Sequence, residues 1–240
     1  MSAFSRPQIS HWLPRGLASL LWDCAWVLSF GLGAGSYRLY RATKRFGNWV
    51  MNHAEPIQPE PDWPRLHAVI DGYRHSGNKF ITGNVLPELQ PRIASVVHRP
   101  WMLRQAVRHN LPCFLLVRDP LEAALSRHFR SHLPEQATYG LSSSLLASLL
   151  AWYLYYGHAW ALRHRLVVLP FPMLTGDYPA LRARMEAAAG PTLRAEPDFS
   201  TRNAYEGPRP AMQLSPLQRL MLRACRRRYA ALLALPPPAA

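Results

Sequence analysis

The chain has 240 residues, of which 49% are hydrophobic, and it carries 28 Lys and Arg residues against 14 Asp and Glu residues, a formal charge of +14. This apolar content is ample for the packed core of one α/β domain, with or without an appendage, which excludes a disordered chain. The positive charge favours phosphate-bearing ligands, polyanions or acidic membrane surfaces without distinguishing between them.

The cysteine content excludes two further classes. Cys24, Cys113 and Cys225 are an odd number at wide spacing, so the sequence indicates neither a disulfide framework nor a metal site. A reducing compartment fits this pattern best. We therefore expect a cytoplasmic protein.

Residues 1–54 form a distinct apolar and basic N-terminal segment. Residues 16–37 are apolar over about the length of a bilayer span, with one charge at Asp23, and a basic cluster follows them. Two interpretations stay open: an anchor that associates with a membrane through residues 16–37, or a helix that packs on the domain, because a charge near the middle of a span is costly in lipid. A cleaved signal peptide is disfavoured, because the basic cluster stands where a small-residue cleavage site is expected.

The rest of the chain is predicted to be one domain. Residues 55–64 contain four prolines and indicate an extended linker, residues 65–235 the domain, and residues 236–240 a disordered tail. Apolar runs near 66–71, 93–97, 113–117 and 166–171 read as strands, and the predicted helical segments include 141–165 before the last strand and 178–189 and 215–233 after it. This alternation predicts an α/β fold of three layers, a parallel sheet with helices on both faces.

A basic, glycine-containing loop follows the first predicted strand. Residues 72–80 read Gly-Tyr-Arg-His-Ser-Gly-Asn-Lys-Phe and lead into a helix. A strand, such a loop and a helix together offer backbone N–H groups to a phosphate. The spacing G-x-x-x-x-G-K-[ST] of nucleotide kinases is absent.

A histidine follows the next predicted strand. His98 comes directly after the apolar run 92–97 and precedes Arg99-Pro100. A histidine at the carboxyl edge of a parallel sheet can accept a proton from a reacting hydroxyl. The competing interpretation is a surface or capping histidine.

The third strand ends in a second polar motif. Residues 114–117 are apolar, Arg118-Asp119-Pro120 follows them, and Ser126 lies about two turns into the next predicted helix. An arginine and a hydroxyl at the ligand-binding edge of an open sheet can hold a phosphate. The alternative is a strand-to-helix turn whose arginine is merely solvated.

Together these motifs resemble those of sulfotransferases that use 3′-phosphoadenosine-5′-phosphosulfate. Residues 74–80, Arg-His-Ser-Gly-Asn-Lys-Phe, are similar to the family's 5′-phosphosulfate loop, and Arg118 with Ser126 is similar to its 3′-phosphate motif. His98 falls between them, where relatives carry the catalytic histidine. The resemblance covers roughly residues 66–233 and implies a P-loop nucleoside-triphosphate-hydrolase-like sulfotransferase fold.

The resemblance also implies roles for individual residues. His98 and Lys79 would be catalytic, the loop Arg74, His75, Ser76, Gly77, Asn78, Lys79 and Phe80 would bind the donor nucleotide, and Arg118, Ser126 and Arg202 would bind its 3′-phosphate. Phe80 occupies the adenine-stacking position, although a core residue at a helix start fits equally well. The family needs no metal.

Some positions depart from the family pattern. His75 stands where Lys or Arg is usual, Lys79 stands where Thr is usual, and Phe171-Pro172-Met173-Leu174 replaces a Glu-Asp-Leu motif. Arg74 or Lys79 would then supply the cation at the bridging oxygen.

The sequence thus predicts transfer of a sulfuryl group from the nucleotide donor to a hydroxyl or amine acceptor. Two alternatives remain: an inactive sulfotransferase-like protein that binds nucleotide or associates with membranes, and a basic protein that binds nucleic acid or anionic lipid. No RNA-binding, zinc-finger or basic-zipper signature is present, so a nucleic-acid partner is not expected.

Overall fold

The computed structural model describes residues 15–32, 35–51, 57, 59–74, 76–95, 98, 100–130, 144–198 and 213–236. Within them the strands are β1 (Ala68–Gly72), β2 (Ile93–Ser95), β3 (Cys113–Val117) and β4 (Val167–Pro170). The α-helices are α1 (Arg15–Gly31), α2 (Tyr37–Met51), α3 (Asn78–Gly83), α4 (Pro100–Arg108), α5 (Pro120–Arg130), α6 (Leu145–Trp160), α7 (Phe171–Gly176), α8 (Tyr178–Ala189) and α9 (Pro216–Leu233). Short 3₁₀ turns cover Trp63–Arg65, Gln90–Arg92 and Arg163–Arg165.

The four strands form one parallel sheet in the order β2-β1-β3-β4. Val69 pairs with Ala94 on one side and with Cys113 on the other, and Phe114 pairs with Val167. Because all pairings are parallel, every strand ends at the same edge of the sheet. The segments that follow the strands are therefore brought together at this carboxyl edge.

Helices cover both faces of the sheet. Val69 and Leu115 belong to a hydrophobic core shared with α1, α4, α5, α6 and α9. Ile70 and Phe114, which are next to these residues on the same strands, belong to a second core shared with α3, α7 and α8. Alternate residues of a strand point to opposite faces of the sheet, so β1 and β3 each contribute side chains to both cores. The predicted α/β class and its strands are confirmed: β3 has its predicted bounds, and β1 and β4 lie within two residues of theirs.

The apolar segment 16–37 is not one continuous helix. α1 ends at Gly31 and α2 begins at Tyr37, so the turn falls in the glycine-rich stretch. Trp26 and Phe30 of α1 and Tyr40 of α2 are buried in the core against the sheet and α6. Such contacts are those expected of a helix that packs on the domain, one of the two interpretations of this segment. Within the described residues, no helix combines the length and the apolar content that a bilayer crossing needs.

Asp23, the one charge in the apolar segment, ties α1 to α6. Its Oδ1 accepts a hydrogen bond from the backbone N–H of Ser144 at 2.9 Å. Ser144 is the N-cap of α6 and its hydroxyl in turn accepts from Ala147 N at 3.1 Å. A carboxylate at a helix N-terminus also complements the helix dipole. Asp23 is thus satisfied within the protein.

We expect Asp23→Ala to destabilise the fold by about 1–2 kcal/mol, because the Ser144 N–H loses its charged acceptor at a helix terminus. Asp23→Asn is the matched control and retains an acceptor oxygen. Urea unfolding measures both variants. A neutral or stabilising Asp23→Ala would show that the contact with α6 contributes nothing.

Candidate functional site

Four connecting segments converge at the carboxyl edge of the sheet. The loop 73–77 follows β1, His98 follows β2 by three residues, Arg118 follows β3, and α7 follows β4. In an open parallel sheet this edge is the usual place for a ligand. The sequence motifs singled out for phosphate and proton chemistry therefore share one location.

Gly72 allows β1 to end close against β3. A Cβ on Gly72 would lie 2.6 Å from the carbonyl oxygen of Leu116, its partner across the ladder. Contacts that short do not occur between a Cβ and a backbone atom, so a larger residue would push the two strands apart. Glycine at this position thus fixes where the following loop begins.

The loop then packs against α7. Gly77 has φ of +95°, which favours glycine, and a Cβ there would lie 2.3 Å from a methyl carbon of Leu174 and 3.3 Å from the ring of Phe171. Loop 73–77 and α7 therefore touch through a position that tolerates no side chain. Phe171 and Leu174 of α7 supply this apolar surface.

The hydroxyl of Tyr156 holds the loop to the sheet. It donates to Leu116 O at 2.6 Å and accepts from Tyr73 N at 3.3 Å. Its single proton is used on Leu116, so the Ser76 hydroxyl, 3.3 Å away, is the donor in their contact. Burial raises the pKa of Tyr156 well above its ordinary value, and the phenol stays protonated. One hydroxyl on α6 thus joins β3, the end of β1 and the loop.

His98 is fixed by the end of β1. Its φ is +53°, in the left-handed region that non-glycine residues rarely adopt. Its backbone N–H donates to Asp71 Oδ1 at 3.0 Å, and the same oxygen accepts from Gly72 N at 2.9 Å. Asp71 is 1% exposed. A buried carboxylate therefore holds the histidine backbone in a strained conformation at the sheet edge.

The ring of His98 lies between two groups of the first motif. Its Nδ1 is 2.9 Å from Gly72 O, an acceptor, and 2.8 Å from Asn78 Nδ2, a donor. Asp71 Oδ1 is 3.8 Å from Nδ1 and favours a proton on that nitrogen. Nδ1 can use one of these two contacts as a hydrogen bond: accepting from Asn78 Nδ2 puts the ring proton on Nε2, whereas the tautomer with Nδ1–H donating to Gly72 O leaves Nε2 with a lone pair. That is the arrangement a general base requires.

Arg118 is held by neighbours on α5, α6 and α7. Its guanidinium carbon is 4.3 Å from the centre of the Phe171 ring, its Nη2 is 3.4 Å from Glu122 Oε2, and its carbonyl accepts from Trp152 Nε1 at 3.3 Å. Phe171 therefore lies against both Arg118 and Gly77. The two sequence motifs predicted to bind phosphate thus meet at this ring.

Asp119 of the Arg-Asp-Pro motif has a structural task. Its Oδ1 accepts from Leu121 N at 2.9 Å and from Glu122 N at 3.0 Å, so it caps α5. Pro120 occupies the first helical position, where a missing N–H costs nothing. The motif thus turns the chain sharply from β3 into α5 and leaves Arg118 at the edge. Ser126 lies further along α5 and is half-buried.

The two candidate loop cations have different surroundings. The Arg74 guanidinium carbon is 5.0 Å from the centre of the Trp26 ring on α1, and burial lowers the pKa of Arg74. Lys79 is exposed on the first turn of α3. Of the two, Lys79 has the side chain that is more exposed to solvent.

The other loop residues are largely used inside the protein. Ser76 is fully buried against Tyr156, and Asn78 is 4% exposed with its amide at His98 and Gly72. Phe80 is 6% exposed in the second core, edge-on to Tyr178, so its burial favours the core interpretation over adenine stacking. His75 and Arg202, both predicted to bind the donor, lie outside the described residues.

Three contributors to the site were not singled out from the sequence. Asp71 reads as the end of an apolar strand, although a carboxylate directly before Gly72 at the ligand edge is an available signal. Phe171 reads as a departure from a family motif. Tyr156 is one of several aromatic residues on a helix that is apolar on all sides, so its special role has no sequence signal.

Comparisons with known proteins give no match: no family model fits the sequence, and no curated protein and no solved structure matches it. The described residues also hold no group of three or more His, Cys, Asp and Glu side chains arranged to bind a metal ion.

We expect Tyr156→Phe to lower the free energy of unfolding by about 1–3 kcal/mol, because Leu116 O and Tyr73 N lose a buried partner. Amide hydrogen exchange at residues 73–78 should accelerate more than exchange in β4. Tyr178→Phe is the control, since its hydroxyl donates to Arg194 O at 3.0 Å, on the face of the sheet opposite α6. Equal exchange in the loop of both variants would remove Tyr156 from its role.

Proposed function

We propose that this chain is a sulfotransferase-like enzyme with a P-loop-like fold, which transfers a sulfuryl group from 3′-phosphoadenosine-5′-phosphosulfate to a hydroxyl or amine acceptor. The observation that carries the proposal is the 2.8 Å contact between Asn78 of the loop and His98. These residues are 20 positions apart and belong to two motifs that resemble the family separately. Their contact puts the proposed base beside the proposed donor loop.

The charges at the sheet edge fit a donor that carries phosphate groups. Arg118 is oriented by Phe171 and Lys79 is exposed, and both cations follow central strands of the sheet. The guanidinium of Arg118 can bind a phosphate with two parallel hydrogen bonds. Glu122 lies 3.4 Å from Arg118 and is 42% exposed, so it would compete with a bound phosphate. Arg118 and Lys79 therefore suit a bound anion. The affinity for that anion depends on whether the carboxylate of Glu122 moves away from Arg118.

The proposed mechanism is an in-line displacement. The donor supplies the sulfuryl group and leaves as adenosine 3′,5′-bisphosphate. His98 Nε2 takes the proton of the acceptor O–H or N–H as the acceptor bonds to sulfur and the bond from sulfur to the phosphate oxygen breaks. Asp71 and Gly72 hold the ring of His98 for this transfer, Lys79 balances charge on the leaving phosphate, and Arg118 anchors the 3′-phosphate.

A second candidate is a protein that binds the nucleotide without turnover. The fully buried Ser76 favours this second candidate. Its hydroxyl is hydrogen-bonded to Tyr156 and is not exposed to a ligand. Calorimetry with adenosine 3′,5′-bisphosphate, run beside a transfer assay with labelled donor, separates the two candidates. Binding with transfer supports the enzyme, binding alone supports the second candidate, and no binding contradicts both.

Arg118→Ala is expected to weaken binding of adenosine 3′,5′-bisphosphate roughly tenfold or more and binding of adenosine 5′-monophosphate much less, because the lost contact is specific to the 3′-phosphate. Glu122→Gln is the matched control with the opposite expected effect. It removes the competing carboxylate and should therefore increase the affinity for the bisphosphate. Titration calorimetry gives both affinities. Equal losses for the two nucleotides would exclude Arg118 from the 3′-phosphate site.

His98→Asn is expected to reduce transfer by about 10²–10⁴-fold while the bisphosphate affinity stays nearly constant, because the base acts on the acceptor and not on the donor. Asparagine tolerates the left-handed backbone, so the fold is kept. His109→Ala is the control, since this exposed residue stacks on Trp63 and precedes β3, at the opposite edge. Single-turnover transfer measures the rates. Full activity of His98→Asn would mean that another group is the base.

A further inference from the structure

α1 is apolar on the side that faces away from the core. Its inner side carries Trp26 and Phe30, which are 4% and 0% exposed. Its outer side carries side chains that are apolar or weakly polar and exposed to solvent, Leu17 (44%), Leu20 (59%), Cys24 and Leu28 (42%), and the exposed Leu32 (57%) follows directly after the helix. At 100° per residue these positions lie on the side of the helix opposite Trp26.

This distribution is unusual for a helix that packs on a core by one face. The opposite face of such a helix is ordinarily polar. Between Gly16 and Ser36 the one charged residue is Asp23, and its carboxylate is turned toward Ser144 of α6. The outer face therefore has no charge of its own, and contiguous exposed apolar surface of this kind marks an interaction site.

α2 follows α1, packs on it and carries exposed positive charge. Arg38, Arg41 and Arg45 are exposed. Leu39 and Phe46, which directly follow Arg38 and Arg45 and lie about two helical turns apart, are 44% and 38% exposed. α2 packs on α1 and on α4, where Tyr37 and Tyr40 contact Trp101. No acidic residue occurs between Asp23 and Glu55. The exposed apolar side chains of α1 are thus followed in the chain by exposed cations that have no acidic neighbour in sequence.

We propose that the outer face of α1 and α2, defined by Leu17, Leu20, Leu28, Leu32, Leu39 and Phe46 with Arg38, Arg41 and Arg45, docks on the surface of a bilayer that contains anionic phospholipid. The helices would lie in the plane of the interface, with the leucines at the acyl boundary and the arginines at the phosphates. Arginine suits this border, because its stem packs on apolar groups while its head stays at the polar level.

Charge decides between lipid and the other occupants of such a face. Nucleic acid would satisfy the arginines and leave the leucines in water. A second copy of this chain, paired about a twofold axis through this face, would bring both sets of arginines together, and each copy already carries a formal charge of +14. An anionic bilayer offers acyl chains to the leucines and phosphates to the arginines. The proposal is independent of the chemistry at the sheet edge.

Vesicle co-sedimentation of the full chain tests the proposal, with phosphatidylcholine vesicles that contain or lack phosphatidylserine. The wild-type chain should bind the anionic vesicles, and added salt should weaken binding. Leu20→Glu with Leu28→Glu should reduce partitioning tenfold or more, and replacing Arg38, Arg41 and Arg45 by Gln should cost up to roughly fivefold per cation. Leu217→Glu with Leu220→Glu is the matched control on α9, where the two leucines are 57% and 64% exposed; it should bind as the wild type does.

Several results would overturn the proposal. Equal binding to both kinds of vesicle, no binding, or undiminished binding by the leucine and arginine variants each contradicts it. Light scattering adds a further arm: a wild-type dimer that becomes a monomer in Leu20→Glu with Leu28→Glu, without vesicle binding, would assign the face to a second copy. If the leucine variant does not fold, as judged by circular dichroism, the arginine variant alone decides.

Discussion

The hydroxyl of Tyr156 is the contact on which the geometry of the sheet edge depends. It is buried, it contacts β3 at Leu116, the end of β1 at Tyr73 and the loop at Ser76, and it comes from α6, the central helix of one face. A buried hydroxyl with both of its roles used is costly to disturb, because each partner would lose its hydrogen bond inside the protein. Tyr156 thereby fixes the distance between the loop after β1 and strand β3. Because Arg118 directly follows β3, its position relative to the loop is fixed as well.

Two conformations that L side chains rarely adopt complete this edge. Gly77 at φ +95° lets the loop lie on Leu174 and Phe171, and His98 at φ +53° is held by a backbone hydrogen bond to Asp71. Strain of this kind persists where neighbouring groups over-determine the position. Here the buried carboxylate of Asp71 holds His98, and the apolar residues of α7 lie against Gly77. Asp71 is near the end of β1 and α7 begins after β4, so both are at the same edge of the sheet. The parallel sheet is what makes that convergence unavoidable.

The sequence predicts the parts of this structure that rest on local patterns. Unbroken apolar runs identify the strands because central parallel strands are buried on both faces, and Asp119-Pro120 identifies the start of α5 because cap and first-turn preferences are local. It does not predict the uses of Ser76 and Arg74. Their residue types suit a phosphate, yet Tyr156 and Trp26, 80 and 48 positions away, occupy the serine and lie against the arginine. Such pairings depend on tertiary contacts that no spacing encodes.

α1 connects the two proposed functions of the molecule. Its inner face carries Trp26, whose ring lies 5.0 Å from the guanidinium carbon of Arg74 in the loop after β1, and Phe30, which packs on Tyr73 at the start of that loop. Its outer face is the apolar surface proposed to meet lipid. A helix with one side on the loop and the other side on a bilayer cannot tilt or shift without moving the rings that support Tyr73 and Arg74. The N-terminal helices are therefore part of the support of the site, and a chain that starts after them would expose the core and lose the aromatic partners of the loop together.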